Sequence, residues 1–195
     1  MPKLLIVRHG QSEWNALGRW QGQAVPPLTN LGENQAKKAS QKLGLFDSIV
    51  SSPLQRAKNT ASIISELMGV GPVVTEIGLM ERDAGPWQGL TRVEIENGWP
   101  GFLDSGNRPD GYESNPDLLF RVFEVLKKIS ENSKPLDNTL IISHAGIVHA
   151  LENLHDQPST KVPNLGGRWV EFVDGDLIMG KRVSLVTEES TPDLL

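Results

Sequence analysis

The 195-residue chain contains no cysteine. Disulfides, thiolate nucleophiles and cysteine-ligated metals are therefore excluded. There is no cationic excess either: 19 Lys and Arg stand against 24 Asp and Glu, a formal net charge of −5. Binding along a phosphate backbone needs a basic stripe, so nucleic acid is not an expected partner. No apolar run approaches the ~20 residues that cross a bilayer, and no membrane partner is expected. The run Leu4–Val7 is too short for the core of a secretory signal, which makes a cytoplasmic location the expectation. Histidine is scarce, at four residues. Two of the four directly follow apolar runs of strand length, Leu4-Leu5-Ile6-Val7-Arg8-His9-Gly10 and Leu140-Ile141-Ile142-Ser143-His144-Ala145-Gly146.

Strand and helix patterns alternate between these two segments. Leu4–Val7 reads as a strand buried on both faces. The stretch from Gly10 to Leu28 is polar, with Gly18, Gly22 and Pro26-Pro27, and reads as a loop. Thr29 is a plausible N-cap for a helix through Leu43. Asp47–Ser51 reads as a short strand. Ser52 then caps a helix to about Met68, with Pro53 at its first position, where the missing N–H costs nothing. Val73–Thr75 is another short strand. Residues 82–116, rich in glycine and proline, read as an irregular insert with a short helix at Arg92–Glu96. A helix over Pro116–Asn132, a strand at Thr139–Ser143 and a helix at Gly146–Leu154 follow. Arg168–Val173 and Leu177–Val186, joined by Asp174-Gly175-Asp176, read as a hairpin, and the tail beyond as frayed. The pattern predicts an α/β three-layer sandwich: a mostly parallel central sheet, helices on both faces and the insert over the active site. One domain over 1–195, capped by the insert at about 82–116, fits this length.

Ligands in open α/β sheets bind beyond the carboxyl ends of strands. Two strands ending in His9 and His144 thus place two imidazoles where chemistry is done. Gly10 after the first strand would let backbone approach a ligand closely. Arg56, in Ser51-Ser52-Pro53-Leu54-Gln55-Arg56-Ala57, falls in the first turn of a helix, where a cation opposes the helix dipole. Glu81 precedes a glycine-rich loop, Gly85-Pro86-Trp87-Gln88-Gly89. His144 leads into a helix N-terminus, whose free N–H groups favour an anion. Taken singly, each also fits a structural role: a hydrogen-bonded core histidine, a solvated arginine, a surface carboxylate, a helix-capping histidine. Taken together they form a kit for phosphoryl transfer. Arg8, Arg56 and the helix N-terminus suit phosphoryl oxygens. One imidazole can act as nucleophile and the other can donate as charge shifts. A carboxylate can protonate the leaving oxygen and then activate water. His144 and His149, five residues apart, do not share a helix face, so metal binding is not expected.

These motifs resemble the histidine phosphatase superfamily, also called phosphoglycerate-mutase-like, over nearly the whole chain and in family order. The resemblance implies that His9, in Arg8-His9-Gly10, is the phosphorylated nucleophile. It assigns Asn15 and Gln21 to the phosphate pocket, Arg56 as the second phosphate-binding arginine, Glu81 as acid/base and His144 as the second histidine. Gly10, Ala145 and Arg82 join the expected substrate-binding set. A metal-free reaction with no cofactor is implied. The chain departs from relatives at His149, where they often carry arginine, and at Asp83-Ala84, where glycolytic mutases carry His-Tyr after the arginine matched by Arg82.

Phosphatase and mutase use the same phosphohistidine and differ in what holds the rest of the substrate. Between Arg82 and Ser114, three cations (Arg82, Arg92, Arg108) face six acids (Asp83, Glu94, Glu96, Asp104, Asp110, Glu113). An acidic rim disfavours a second anionic group. The expectation is a phosphomonoester hydrolase acting on a small phosphorylated metabolite, as a monomer or homodimer. A cofactor-dependent phosphoglycerate mutase is the runner-up, and a non-catalytic phospho-ligand-binding or regulatory protein the alternative of another class. Aromatics most often pack, and Trp99 and Phe102, set among glycines and a proline, could instead line the pocket mouth, whereas His149 and His155 are expected at packing or surface positions.

Overall fold

The computed structural model describes residues 1–155 and 160–186; the tail expected to fray lies outside them. Its centre is a six-stranded sheet. Strand β1 (Lys3–Arg8) is buried because its side chains feed two cores at once. Leu4 and Ile6 join one apolar cluster, and Leu5 and Val7 join the other. β4 (Asn138–Ser143) repeats the alternation, with Ile141 in the first cluster and Leu140 and Ile142 in the second. The first cluster is closed by α6 (Asn115–Asn132) and α7 (Ala145–Leu154). The second is closed by α2 (Asn30–Ser40) and α3 (Gln55–Met68). The expected three layers are thus present.

Strand order is β3 (Val74–Thr75), β2 (Ser48–Ser51), β4, β1, β5 (Gly166–Val173), β6 (Asp176–Ser184). β2 and β3 continue the parallel part. β5 and β6 add the expected antiparallel hairpin. The chain leaves β1, builds β2 two places and β3 three places away, and returns to insert β4 beside β1. From the ends of β1 and β4 it then departs to opposite faces, toward α2 and toward α7. That divergence opens a crevice at the carboxyl ends of two neighbouring strands. Register pairs Arg8 with Ser143, so His9 and His144 leave the sheet side by side. The N–H of His9 donates to the carbonyl of Ser143 at 3.0 Å.

Several local expectations change. The polar loop after Gly10 contains a short helix, α1 (Glu13–Ala16), closed by a capping box between Ser12 and Asn15. α3 starts at Gln55 behind Leu54, with no side-chain cap. Ser52 is not its N-cap; the Ser52 hydroxyl accepts from the Leu54 N–H and turns toward His144. The insert holds α4 (Arg92–Gly98), as expected, and a further short helix, α5 (Phe102–Ser105). It carries its own small core. Trp87 is fully buried among Ala84 and Ile95, with Trp20, Trp99, Phe102 and Tyr112 packed against it. Trp99 meets Trp87 edge-on at 6.3 Å between ring centres. Trp99 and Phe102 are therefore spent on holding the insert together; neither lines the crevice beyond the strand ends, whereas Trp20 and Tyr112 do.

Candidate active site

His9 sits in the crevice with its ring almost fully buried. Its Nδ1 lies 2.6 Å from the Gly10 carbonyl, which can only accept, so the proton is on Nδ1. Nε2 lies 3.2 Å from Nε of Arg56, which can only donate. Nε2 thus carries a lone pair. Burial, reinforced by Arg56 and Arg8, pushes this imidazole well below the usual histidine range and keeps it neutral. The ring of His144 packs edge-on against it, 5.3 Å away. His144 is fully buried, and its Nε2 meets the Ser52 hydroxyl at 2.8 Å. Its Nδ1 has no hydrogen-bond partner among the described residues. Burial, followed by Arg56 and His9, lowers its pKa as well.

Arg56 is fully buried. Its guanidinium donates to the carbonyls of Ala24 at 2.6 Å and Gly22 at 2.8 Å. The loop that packs over it fixes its direction. Burial brings its pKa down to about 10, with Glu81 opposing, and it stays charged at neutral pH. Arg8 donates to the Val162 carbonyl at 2.8 Å. Asn15 takes the Ser12 N–H on Oδ1 and leaves its buried Nδ2 without a partner among the described residues. Gln21 accepts from the Ser12 hydroxyl. Both amides line the same cleft as Arg8, His9 and Arg56.

Glu81 occupies the place where an anion was expected. Its Oε2 accepts from the N–H of Gly146 in the first turn of α7, at 3.1 Å, and its Oε1 from the N–H of Arg82 at 2.8 Å. The carboxylate itself sits on the helix N-terminus. Gly146 makes this possible, because a Cβ there would stand 2.2 Å from Oε1. Gly146→Ala should therefore displace the carboxylate while favouring the helix. We expect a loss of up to about 10²-fold in turnover, larger for alkyl than for aryl esters. Steady-state rates on the two ester types check this.

Arg8, His9, Asn15, Gln21, Arg56, Glu81, Arg82 and Ala145 all line one cleft of about 780 Å³. His144 stands behind His9 rather than in the cleft wall. Gly10 also lies outside the wall. A Cβ on it would come within 2.5 Å of the Gly32 carbonyl, so the glycine lets α2 approach the strand end. Three contributors were missed. Ser52 braces His144, the amide of Asn164 donates to the His9 carbonyl at 2.9 Å, and His149 lines the cleft one turn after Ala145. His149 is thus neither core packing nor open surface.

The acidic rim is also corrected. Of the six acids counted between Arg82 and Ser114, Glu113 alone lines the cleft, and its carboxylate is held by Arg121 at 2.7 Å. Arg82 and Arg108 both line it, joined by Lys161. Arg92 pairs with Asp104. Charge counted along a sequence did not predict charge facing the cleft.

Neutral His9 and His144 make stability depend on pH. In the unfolded chain both protonate near the ordinary value of 6.5. The folded values lie lower, so below about pH 6.5 the unfolded state binds more protons. Their contribution is fully present above that pH and is lost as pH falls toward the folded values. Each imidazole adds a slope of about 1.4 kcal/mol per pH unit in that window. Urea midpoints from pH 7 to 5 should fall, and less steeply in His9→Asn. An identical slope in that variant contradicts the assignment.

A parallel-sheet crevice with a neutral strand-end imidazole among buried arginines defines a phosphoryl-transfer enzyme. Comparison with known proteins gives the family. Residues 4–168 match the model of the histidine phosphatase superfamily, branch 1, and the chain belongs to it. It is 32% identical to a glucosyl-3-phosphoglycerate phosphatase of Mycolicibacterium vanbaalenii, over 89% of this chain and 87% of that one. It is 40% identical to a 2,3-bisphosphoglycerate-dependent phosphoglycerate mutase of Afipia carboxidovorans, over 76% and 78%. Among solved structures, a mycobacterial glucosyl-3-phosphoglycerate phosphatase complexed with vanadate superposes with a TM-score of 0.82, at 28% identity, covering 91% of this chain and 96% of that one.

Proposed function

We propose that the protein hydrolyses a phosphomonoester of a small metabolite through a phosphohistidine on His9, without metal or cofactor. The observation that carries this reading is the Nε2 lone pair of a neutral His9, held 3.2 Å from a buried arginine. Nε2 attacks phosphorus as the ester P–O bond breaks. Glu81 delivers a proton to the departing oxygen. Its carboxylate then takes a proton from water, whose oxygen attacks the phosphohistidine, and phosphate leaves with His9 restored. Arg8 and Arg56, with the amides of Asn15 and Gln21, hold the phosphoryl oxygens; Arg56 redirects its Nε–H from the imidazole to an oxygen as the lone pair is used. His144 supports His9 from behind, and Arg82 and Ala145 contact the substrate. The donor set suits an anion: arginines crowd both imidazoles and would repel a metal cation. We read the chain as one domain, monomeric or homodimeric and cytoplasmic, with no nucleic-acid or membrane partner. Among the described residues no helix is long and apolar enough to cross a membrane.

A mutase is the second reading, and the cationic wall of Arg82, Arg108 and Lys161 favours it, since retaining a bisphosphorylated intermediate needs cations. The Asp83-Ala84 departure favours hydrolysis, and the phosphatase of Mycolicibacterium vanbaalenii matches over more of the chain (89%) than the mutase of Afipia carboxidovorans does (76%). Incubation with an aryl phosphate and a chelator should release phosphate; no release from folded protein supports a non-catalytic role. With 3-phosphoglycerate and catalytic 2,3-bisphosphoglycerate, free phosphate should outrun 2-phosphoglycerate. The reverse ratio, at a rate above hydrolysis of every other ester tried, assigns the mutase.

A further inference from the structure

Glu152 is a buried charge that this chemistry does not use. Glu152 lies on α7 among the apolar residues Ile147, Val148 and Leu151, with its side chain fully buried. Its Oε1 accepts from Arg168 at 2.9 Å and from Nε of Arg182 at 2.7 Å, and its Oε2 from Arg182 at 2.6 Å. The two arginines face each other in register on β5 and β6. Like charges opposed across strands repel, so the carboxylate between them is what permits the pair. A buried ion cluster gains little over an apolar replacement in stability, but it fixes geometry.

The geometry leads to the cleft. Arg182 also donates to the carbonyl of Thr160 at 2.7 Å. Two residues on, the Val162 carbonyl receives the guanidinium of Arg8 at 2.8 Å. Farther along the same strap, the Leu165 N–H donates to the Arg8 carbonyl at 3.0 Å. Arg8 is thus held by a segment whose near end is tied to Glu152 through Arg182.

We infer that Glu152 and Arg182 are positioning residues: they anchor the strap that aims Arg8 at the transferring phosphoryl group. This rests on Arg8 binding that group, as proposed above. The test is a double-mutant cycle on the full chain, reading the affinity for inorganic phosphate by calorimetry. Arg182→Met leaves Glu152 paired with Arg168. It should weaken phosphate binding by about threefold to thirtyfold while thermal unfolding stays cooperative. In an Arg8→Ala background the same change should add nothing further, because the group it aims is gone. Losses that add independently, or unchanged affinity in folded Arg182→Met, overturn the inference. Should Arg182→Met not fold, Arg182→Lys keeps the charge, loses the fork and enters the same cycle. Wild-type protein that releases phosphate from an aryl ester, with a cycle that shows no coupling between Arg182 and Arg8, overturns the network alone. Wild-type protein that neither binds nor releases phosphate overturns the proposed function and the network with it.

Discussion

His9→Ala is expected to abolish turnover, by on the order of 10⁵- to 10⁶-fold, while leaving the fold intact. Among the described residues, no other side chain of the cleft combines a nucleophilic lone pair with a position next to Arg56 Nε. His144 is walled off behind it with Nε2 engaged by Ser52. The fold should survive because the sheet and both cores are built from other residues. The variant leaves a small space open to the cleft, which water can fill. Phosphohistidine is labile to acid and stable to alkali, so rapid quenching of labelled substrate distinguishes it from a phosphoester on serine. Wild-type protein should carry acid-labile label and His9→Ala none. Label retained in folded His9→Ala, or full activity, ends the mechanism.

The same position explains what could be read from sequence. A fully apolar run followed by Arg8-His9-Gly10 specifies a buried strand and its end, because burial on both faces admits no polar alternation. β1 and β4 were legible for that reason, and with them the crevice. Legibility failed where a role depends on partners far along the chain. Ser52 looks like a helix cap next to Pro53, yet its hydroxyl turns to His144, 92 residues away. Gly10 suggests space for a ligand, but the space is filled by the backbone of Gly32. The acidic count over residues 82–114 failed because side chains there divide between solvent, mutual pairs and the cleft. Trp99 and Phe102 admit both a packing and a pocket-mouth reading because no periodicity announces the insert's own core, and in the fold they pack into it. The helix N-terminus read as an anion site was correct in its physics, since it holds a carboxylate of the chain itself, Glu81.

That carboxylate carries the second large effect. Glu81→Gln should cost about 10²- to 10⁴-fold in the hydrolysis of alkyl esters. An alkoxide leaves poorly without a proton, and the amide cannot supply one. A nitrophenolate leaves readily unprotonated, so the loss on the first step should be much smaller for an aryl ester. The second step also needs a base to take a proton from water. With the aryl ester, then, Glu81→Gln should accumulate phosphohistidine, seen as a burst of phenol followed by slow turnover. Glutamine keeps one accepting oxygen where the carboxylate offers separate oxygens to the N–H groups of Gly146 and Arg82, so thermal unfolding of the variant is followed alongside its rates to separate structural damage from lost proton transfer. Equal losses on both ester types, with no burst, would mean that Glu81 only braces α7. A burst confined to the aryl ester places the proton on Glu81 in both half-reactions.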